Sequence, residues 1–448
     1  MTKLINIEED LAENKSVMKD KIKTYTIAAA NAGGQQFYWN YATLIAVGIG
    51  ATPIQMSFIT AIQNLGQSLF QGFFGRLSDR LGRKIILLLG FIIATISTIN
   101  LAFLTSPVIF MVIIGIYSIG ISMVIPSWNA LMGDITTEKT RSKVISQLSM
   151  VGTLTSSVLL LLLGFVIDSI HFKSTELETK YRVMVLVAAL FFALASALIL
   201  TLSETNRLKA SRKAISLKTI FRNKSFVIFS GSTWVFYLMM SLLWPLSPFV
   251  LSRLEPSTAA VAVLSAVFSA SMALGFVITI KVAERIGRKT MIFLGFISLC
   301  LVPITLAYST HWSLIIITNF FGGLGNGLVN VSLSTEILNL AEPEIKGTYS
   351  GTFNLFVGVL TFSGSFVSGL IFEHFTKSSV SLVSKVMISD FSTGLLSKFL
   401  DLSLDSFDLF LRNFLIIITC LRIIATIPIF ILALKERKKS RSNPLRNS

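Results

Sequence analysis

The chain is short of charge. Only 14% of its 448 residues are Asp, Glu, Lys or Arg, against 53% apolar, whereas a water-soluble domain carries roughly 25% charged residues. That shortage excludes an ordinary solvent-facing surface, and disorder or a coiled coil with it. Cysteine is scarce too. Cys300 and Cys420 each lie inside an apolar run, where a thiol behaves as a small hydrophobe, so no disulfide scaffold is expected. His171, His311 and His374 flank apolar runs and form no metal-ligand spacing, so neither a metal nor a cofactor is expected. No Ser-His-Asp set and no phosphate-binding glycine loop is visible, which argues against an enzyme. The strict alternation of lipid-spanning barrel strands is also missing. The charged first 23 residues lack an apolar centre, so no cleaved signal peptide is expected.

What the sequence has instead is long charge-free runs. No charged residue falls between Lys23 and Arg76, or between Lys84 and Asp134. Each run is too long for one membrane helix of about 20 residues and suits two joined by a tight turn. Gly48 to Pro53 and Thr105 to Pro107 supply the breaks, since Gly and Pro punctuate helices. Further spans are expected at 144–167, 183–203, 225–252 and 256–280, then as a double run at 290–335, and at 347–372 and 409–434. The fold class expected is an all-α integral membrane protein of twelve transmembrane helices. Lys and Arg gather on alternate loops: the N-tail, Arg76 to Lys84, Lys139 to Lys143, Arg207 to Lys224, Lys281 to Lys289, Lys346 and the C-tail. The positive-inside rule then places both termini in the cytoplasm of a multi-pass protein of the cell membrane. The net charge of +16 is thereby read as topology, and no nucleic-acid partner is expected.

An internal repeat divides the chain. Asp79-Arg-Leu-Gly-Arg-Lys84 returns as Glu284-Arg-Ile-Gly-Arg-Lys289, each between the second and third helix of its half. At the same offset Gly90-Phe91 returns as Gly295-Phe296, and Gly164 with Asp168 as Gly369 with Glu373. The boundaries that follow are a cytoplasmic N-tail (1–24), a six-helix bundle (25–203), a cytoplasmic linker (204–224), a second six-helix bundle (225–434, with an external segment at 373–408) and a cytoplasmic C-tail (435–448). In 373–408, apolar residues at helical spacing predict short amphipathic helices at the outer surface. Repeated membrane halves point to alternating access, with the substrate between them near the midplane.

Gly75-Arg-Leu-Ser-Asp-Arg-Leu-Gly-Arg-Lys84 resembles the loop signature of the major facilitator superfamily, with every signature position filled. A degenerate second copy is likewise usual for that family, and the Pro343-Glu-Ile-Lys-Gly347 stretch after Glu336 is similar to the tenth-helix end of its sugar and metabolite porters. Two departures from other branches stand out. Ile116 occupies the place where many members carry an Arg four residues before a helix-four glycine (Gly120), and helix five, 146–167, holds no proline. Both count against a proton-driven drug exporter.

The resemblance implies two pseudo-symmetric six-helix bundles and two kinds of site. One is a gating charge network of Gly75, Asp79, Arg80, Gly82, Arg83 and Asp134, mirrored by Glu284, Arg285, Arg288 and Glu336. Arg80 also reads as a simple topology anchor. The other is a cavity lined by helices one, four, seven and ten, whose polar and aromatic midplane residues include Gln36, Asn40, Ser122, Trp234, Tyr237, Asn326 and Asn330. Buried amides either join helices or bind ligand. The stripe of Gln63, Gln67 and Gln71 on helix two reads as a gate against helix eleven. No Asp or Glu lies at mid-span, so facilitated diffusion, or proton coupling through Asp134, Glu336 or edge groups, is expected. Arg422, deep in the last span, reads either as a functional cation or as a group paired with backbone carbonyls. The function expected is secondary active or facilitative transport of a small polar organic solute, a sugar or metabolite, by a monomer in the bilayer. The alternatives are drug or multisubstrate efflux, and a non-transporting nutrient sensor.

Overall fold

A computed structural model describes residues 2–135, 138–170, 177–202, 220–341, 346–387 and 395–442; the side chains described exclude 2–22, 79, 133–135, 138–147, 149, 284, 346–347, 375–387, 395–409 and 437–442. Among the described residues are fourteen α-helices: α1 Thr2–Gly48, α2 Pro53–Leu69, α3 Gln71–Leu81, α4 Arg83–Phe103, α5 Pro107–Ile135, α6 Glu138–Ser169, α7 Leu177–Leu200, α8 Lys224–Ser241, α9 Ser247–Arg253, α10 Thr258–Ile286, α11 Arg288–Ala307, α12 Ile315–Leu340, α13 Lys346–Met387 and α14 Leu395–Ser442. Taking α2 with α3 and α8 with α9 as broken spans gives the twelve crossings of an all-α membrane protein.

Nine of these helices are long and apolar enough to cross a membrane on length and composition. The three crossings outside that set are α1, the α2–α3 pair and α8, which carry the Gln35–Asn40 cluster, the Gln63–Gln71 stripe and the serines around Trp234. Helices four and ten, also expected to hold polar groups, fall within the apolar nine.

Helix ends follow local chemistry. At the Gly48–Pro53 turn, Thr52 and Gln55 form a reciprocal capping box and Pro53 opens α2, where its missing N–H costs nothing. Gly82 and Gly287, the repeated loop glycines, have φ of +105° and +92°, a region that a side chain makes costly. The external segment differs from expectation. α13 continues unbroken from the membrane to Met387 and α14 begins at Leu395, so the flanking spans extend as helices instead of giving way to separate short ones; residues 388–394 lie outside the described set.

The six-helix repeat is visible in the packing. In one half α1 packs on α6 and α7, α4 on α5 and α7, and α2 on α5; in the other α8 packs on α13 and α14, α11 on α12 and α14, and α10 on α12. Each pairing has its counterpart. Without a hydrophobic drive between helices in lipid, close approach depends on small residues. A Cβ built on Gly90 would meet Gly120 O at 2.8 Å, and one on Gly295 would meet Gly325 O at 2.9 Å. The tightest such crossing is α10 with α12, where a Cβ on Gly323 would lie 2.1 Å from Phe268 O. Backbone cannot swing aside as a side chain can. Gly323→Ala is therefore expected to destabilise the folded protein by about 1–3 kcal/mol, read as a lower midpoint in detergent unfolding.

The halves meet through two long crossings, α6 against α10 and α2 against α13. One end of the bundle carries the Asp79–Lys84 and Glu284–Lys289 loops and is called the basic end; the other is the far end. Hydrogen bonds between the halves cluster toward the far end. Tyr41 Oη donates to Thr258 O at 2.8 Å, Ile54 N–H to Glu373 Oε2 at 3.3 Å and Ala259 N–H to Asp168 Oδ2 at 2.9 Å, while Tyr181 Oη donates to Pro256 O.

Candidate functional site

Between the halves lies a cavity of about 590 Å³. Its lining is Ala28, Asn31, Ala32, Gln35, Gln36, Trp39 and Asn40 from α1, Trp128, Asn129 and Met132 from α5, and Leu148 and Thr153 from α6. The second half adds Ser265, Phe268, Ser269 and Met272 from α10 and Asn319 from α12. Six amides and two tryptophans stand among the seventeen, and among the described residues no lining side chain carries a formal charge.

Gln36 forms the knot of the cavity. Its Nε2 donates to Ser157 Oγ (3.0 Å) on its own half and to Ser265 Oγ and Ser269 Oγ (both 2.9 Å) on the other. Its Oε1 accepts from Ser156 Oγ. One turn on, Asn40 Nδ2 donates to Gln36 O at 2.6 Å and to Ser265 Oγ at 3.0 Å. Ser265 and Ser269 share a helix face at i, i+4, so both hydroxyls reach the same amide. The network joins α1, α6 and α10 across the cavity.

Gln36 and Asn40 are thus brought together on the cavity wall. The other five cavity candidates lie elsewhere in this state. Ser122 is fully buried and donates to Ile119 O at 2.7 Å. Trp234 Nε1 donates to Phe353 O at 3.3 Å, and its ring stacks on Phe356 with centroids 4.7 Å apart. Tyr237 meets Phe353 edge-on, so both aromatics fill the α8–α13 contact. Asn326 Nδ2 donates to Gly322 O of its own helix at 2.8 Å, and Asn330 is exposed. Gln63 is buried, with both amide atoms lacking a partner.

The serine pairs, Trp128 and Asn129 were not singled out in the sequence. A serine in an apolar span ordinarily bonds back to the carbonyl three or four residues earlier, as Ser122 and Ser232 do. The available signal was pairing: Ser156-Ser157 and Ser265 with Ser269, on the two helices that cross between halves.

At the basic end the repeated loops use their lysines differently. Lys84 Nζ donates to Leu200 O (2.7 Å) and Leu202 O (2.8 Å), capping the end of α7. Lys289 Nζ pairs with Glu336 at 2.9 Å and Glu436 at 3.8 Å, and its N–H donates to Glu436 Oε2 at 3.1 Å. Glu336 is thereby held by Lys289, and Glu436 is an unforeseen member of the cluster. Arg83 Nη1 donates to Ser78 Oγ at 2.9 Å, while Gly75 sits near Pro126. Arg80 and Arg285 are exposed and Arg288 is half-buried. The side chains of Asp79, Asp134 and Glu284 lie outside the described residues.

Arg422 is fully buried in α14. Its Nη1 donates to Leu299 O at 2.8 Å and its Nη2 to Met240 O at 2.7 Å. Leu299 O has no backbone donor of its own, whereas Met240 O also accepts Leu243 N–H at 3.3 Å. Leu299 O faces Pro303, which has no N–H to give it. Met240 lies at the end of α8, where turns at 242–246 interrupt the helix. Ser365 Oγ, donating to Ser241 O at 3.2 Å, and Ser368 Oγ, donating to Leu242 O, serve the neighbouring carbonyls. Arg422 therefore has the structural assignment: it closes the backbone ledger where α8 and α11 are broken.

Two repeated six-helix bundles around a central polar cavity define a multi-pass membrane transporter. The sequence pattern of the Major Facilitator Superfamily matches residues 24–240 and again 229–446, and the chain belongs to that family. It is 25% identical over 327 residues to the class H tetracycline resistance protein of Pasteurella multocida, covering 68% of this chain and 79% of that one. A crystal structure of the nucleoside transporter NupG superposes with a TM-score of 0.67 at 14% identity, covering 91% of this chain and 98% of that one. A D-xylose-proton symporter gives a TM-score of 0.64 at 14% identity, over 92% and 96% of the two chains. These likenesses to solved structures are likenesses of fold.

Proposed function

We propose that the chain carries a small uncharged polar organic solute, of the sugar or nucleoside kind, across the cytoplasmic membrane by alternating access. The observation that carries this reading is the cavity wall: among the described residues it holds amides, hydroxyls and tryptophans and no ionised side chain. Amides offer donors and acceptors together. A charged ligand there would lack a counter-ion in a medium of low dielectric. Gln36 and Asn40 are the proposed reading groups, with Trp39 and Trp128 offering faces to an apolar side of the solute. Ser122, Trp234, Tyr237 and Asn326 act in helix packing in this state, and Asn330 is exposed. A nucleoside transporter and a xylose symporter of the same fold support the solute class.

With the basic loops and both termini placed in the cytoplasm, the far end is external and closed, and the cavity faces inward. Gly75, Asp79, Arg80, Gly82, Arg83 and Asp134, with Glu284, Arg285, Arg288 and Glu336, would then engage at the basic end when the protein faces outward. Coupling to protons would use edge carboxylates such as Asp134 or Glu336, because the cavity lining holds none. The working unit is a monomer.

Drug efflux is the second reading, favoured by the tetracycline resistance relative and by the apolar lining of Trp128, Met132, Phe268 and Met272. A thermal-shift panel on purified protein separates the two, since a ligand that binds only the folded state raises its melting temperature. At a hundredfold excess over Kd, neutral sugars or nucleosides are expected to add about 2.7 kcal/mol of stability, with carboxylates and phosphates inert. Stabilisation by planar cationic drugs alone would replace the first reading with the second. Uptake into vesicles then distinguishes a carrier from a sensor.

A further inference from the structure

Two contacts at the far end are the same contact, made twice. Asp168 ends the fifth crossing of the first half, and its Oδ2 accepts from Ala259 N–H at 2.9 Å, the second residue of α10 in the other half. Glu373 ends the corresponding crossing of the second half, and its Oε2 accepts from Ile54 N–H at 3.3 Å, the second residue of α2 in the first half. The third N–H of each clasped helix goes instead to that helix's own cap: Ala260 N–H to Ser257 Oγ (3.2 Å) and Gln55 N–H to Thr52 Oγ1 (3.4 Å). The first residue of α2 is Pro53, which has no N–H; the first of α10 is Thr258, whose hydroxyl also donates to Asp168 Oδ1 and to Gly164 O at 3.2 Å.

One turn before each carboxylate is a glycine on the same helix face. A Cβ on Gly164 would meet Ala262 Cβ at 2.9 Å and Thr258 O at 3.1 Å; a Cβ on Gly369 would meet Ser57 Oγ at 1.8 Å and Pro53 O at 3.3 Å. Thr258 with Ala262 and Pro53 with Ser57 are the first and fifth residues of their helices. Every member of one site thus maps onto the other through the internal repeat. On the first side Lys180 Nζ also lies 3.5 Å from Asp168 Oδ1.

We propose that these are paired clasps. The glycine lets a helix of the opposite half come close enough for the carboxylate to cap its N-terminus, and the two caps together hold the far end shut. The inference rests on the alternating-access reading and adds to it the groups that set the balance between states. A helix N-terminus carries both orphan N–H donors and the positive pole of the dipole, so a carboxylate is a strong partner for it. The clasp is also geometrically demanding: opening the end by a few ångströms breaks both bonds.

Asp168→Asn and Glu373→Gln keep shape and remove charge. Spin labels on Thr105→Cys and Thr310→Cys, exposed far-end positions of opposite halves, report that end in a Cys300→Ala, Cys420→Ser background reconstituted in nanodiscs. A second pair, Phe73→Cys and Lys281→Cys, reports the basic end. Measurements without any solute keep the result independent of which solute is carried. Each single substitution is expected to lower the closed-to-open ratio at the far end by about twofold to fivefold, the worth of a negative charge at a helix N-terminus. The double variant should lower it by the product, with the basic-end distance shortening. Gly369→Ala should open the same end by steric wedging while both carboxylates remain. Distance distributions indistinguishable from wild type at both ends, in the double variant and in Gly369→Ala, would overturn the proposal.

Discussion

Replacing Arg422 by Met should lower the unfolding free energy by about 1–3 kcal/mol. Leaving a buried acceptor unpaired costs about that much, and Leu299 O would lose its donor. The cost of carrying a charge in a span is already largely offset by the carbonyls that pair with the guanidinium. Leu299 O therefore decides the sign: Pro303 offers it no N–H, whereas Met240 O keeps Leu243 N–H at 3.3 Å. The attribution has a direct test. Pro303→Ala restores an N–H opposite Leu299 O, so in the Arg422→Met background it should recover part of the loss, while in the wild-type background it should do little. A double-mutant cycle of chemical unfolding midpoints measures that coupling. Additive losses would show that Arg422 stabilises the protein in some other way.

The second large effect is expected on ligand binding. Gln36→Ala removes an amide that bonds serines of both halves and faces the cavity. Loss of a buried bidentate partner costs about 1–3 kcal/mol, or roughly five- to two-hundred-fold in the Kd of a neutral solute. It also cuts the links to Ser265 and Ser269, so the change should appear in the exchange rate between the two faces as well as in affinity. Isothermal titration with the best solute of the thermal-shift panel reads the first, and solute counterflow reads the second. Unchanged affinity with slower counterflow would assign Gln36 to closure alone. Ser122→Ala, which removes only a bond to its own helix, is the matched control.

Much of this architecture could be read before any coordinates. Charge-free runs give the crossings because lipid admits no unpaired backbone, and Gly48 to Pro53 shows where one helix must stop. The repeat was legible in Asp79 to Lys84 against Glu284 to Lys289, and its Gly164–Asp168 and Gly369–Glu373 pairs proved to be contact sites. Gln36 and Asn40 were findable because an amide in a span needs a partner. The rotation of helices seven and ten was not legible. An almost wholly apolar helix has little periodicity to say which face turns inward. The decision falls to close packing: Gly323 and Gly327 are pressed onto α10 and Gly325 onto α11, and Asn326 goes where those contacts send it. Serine was opaque for a different reason. Its hydroxyl can always bond its own helix, so only the meeting of α6 with α10 shows that Ser157 and Ser269 share Gln36.

The weak lipophilicity of α1, α2–α3 and α8 has a consequence for how the chain is made. Of these crossings α1 lines the cavity, and all three emerge from the ribosome before strongly apolar helices that later pack against them. In the first half, two weak crossings precede α4, the first segment apolar enough to cross unaided. An insertion machine that tested each segment alone would pass them poorly. They must therefore be retained at the protein-conducting channel until α4 and α5 arrive, then released into lipid as a group with their amides already paired. α8 waits in the same way for α10. Biogenesis of this fold is cooperative within each half, and the unit of insertion is a cluster of helices, not a single helix.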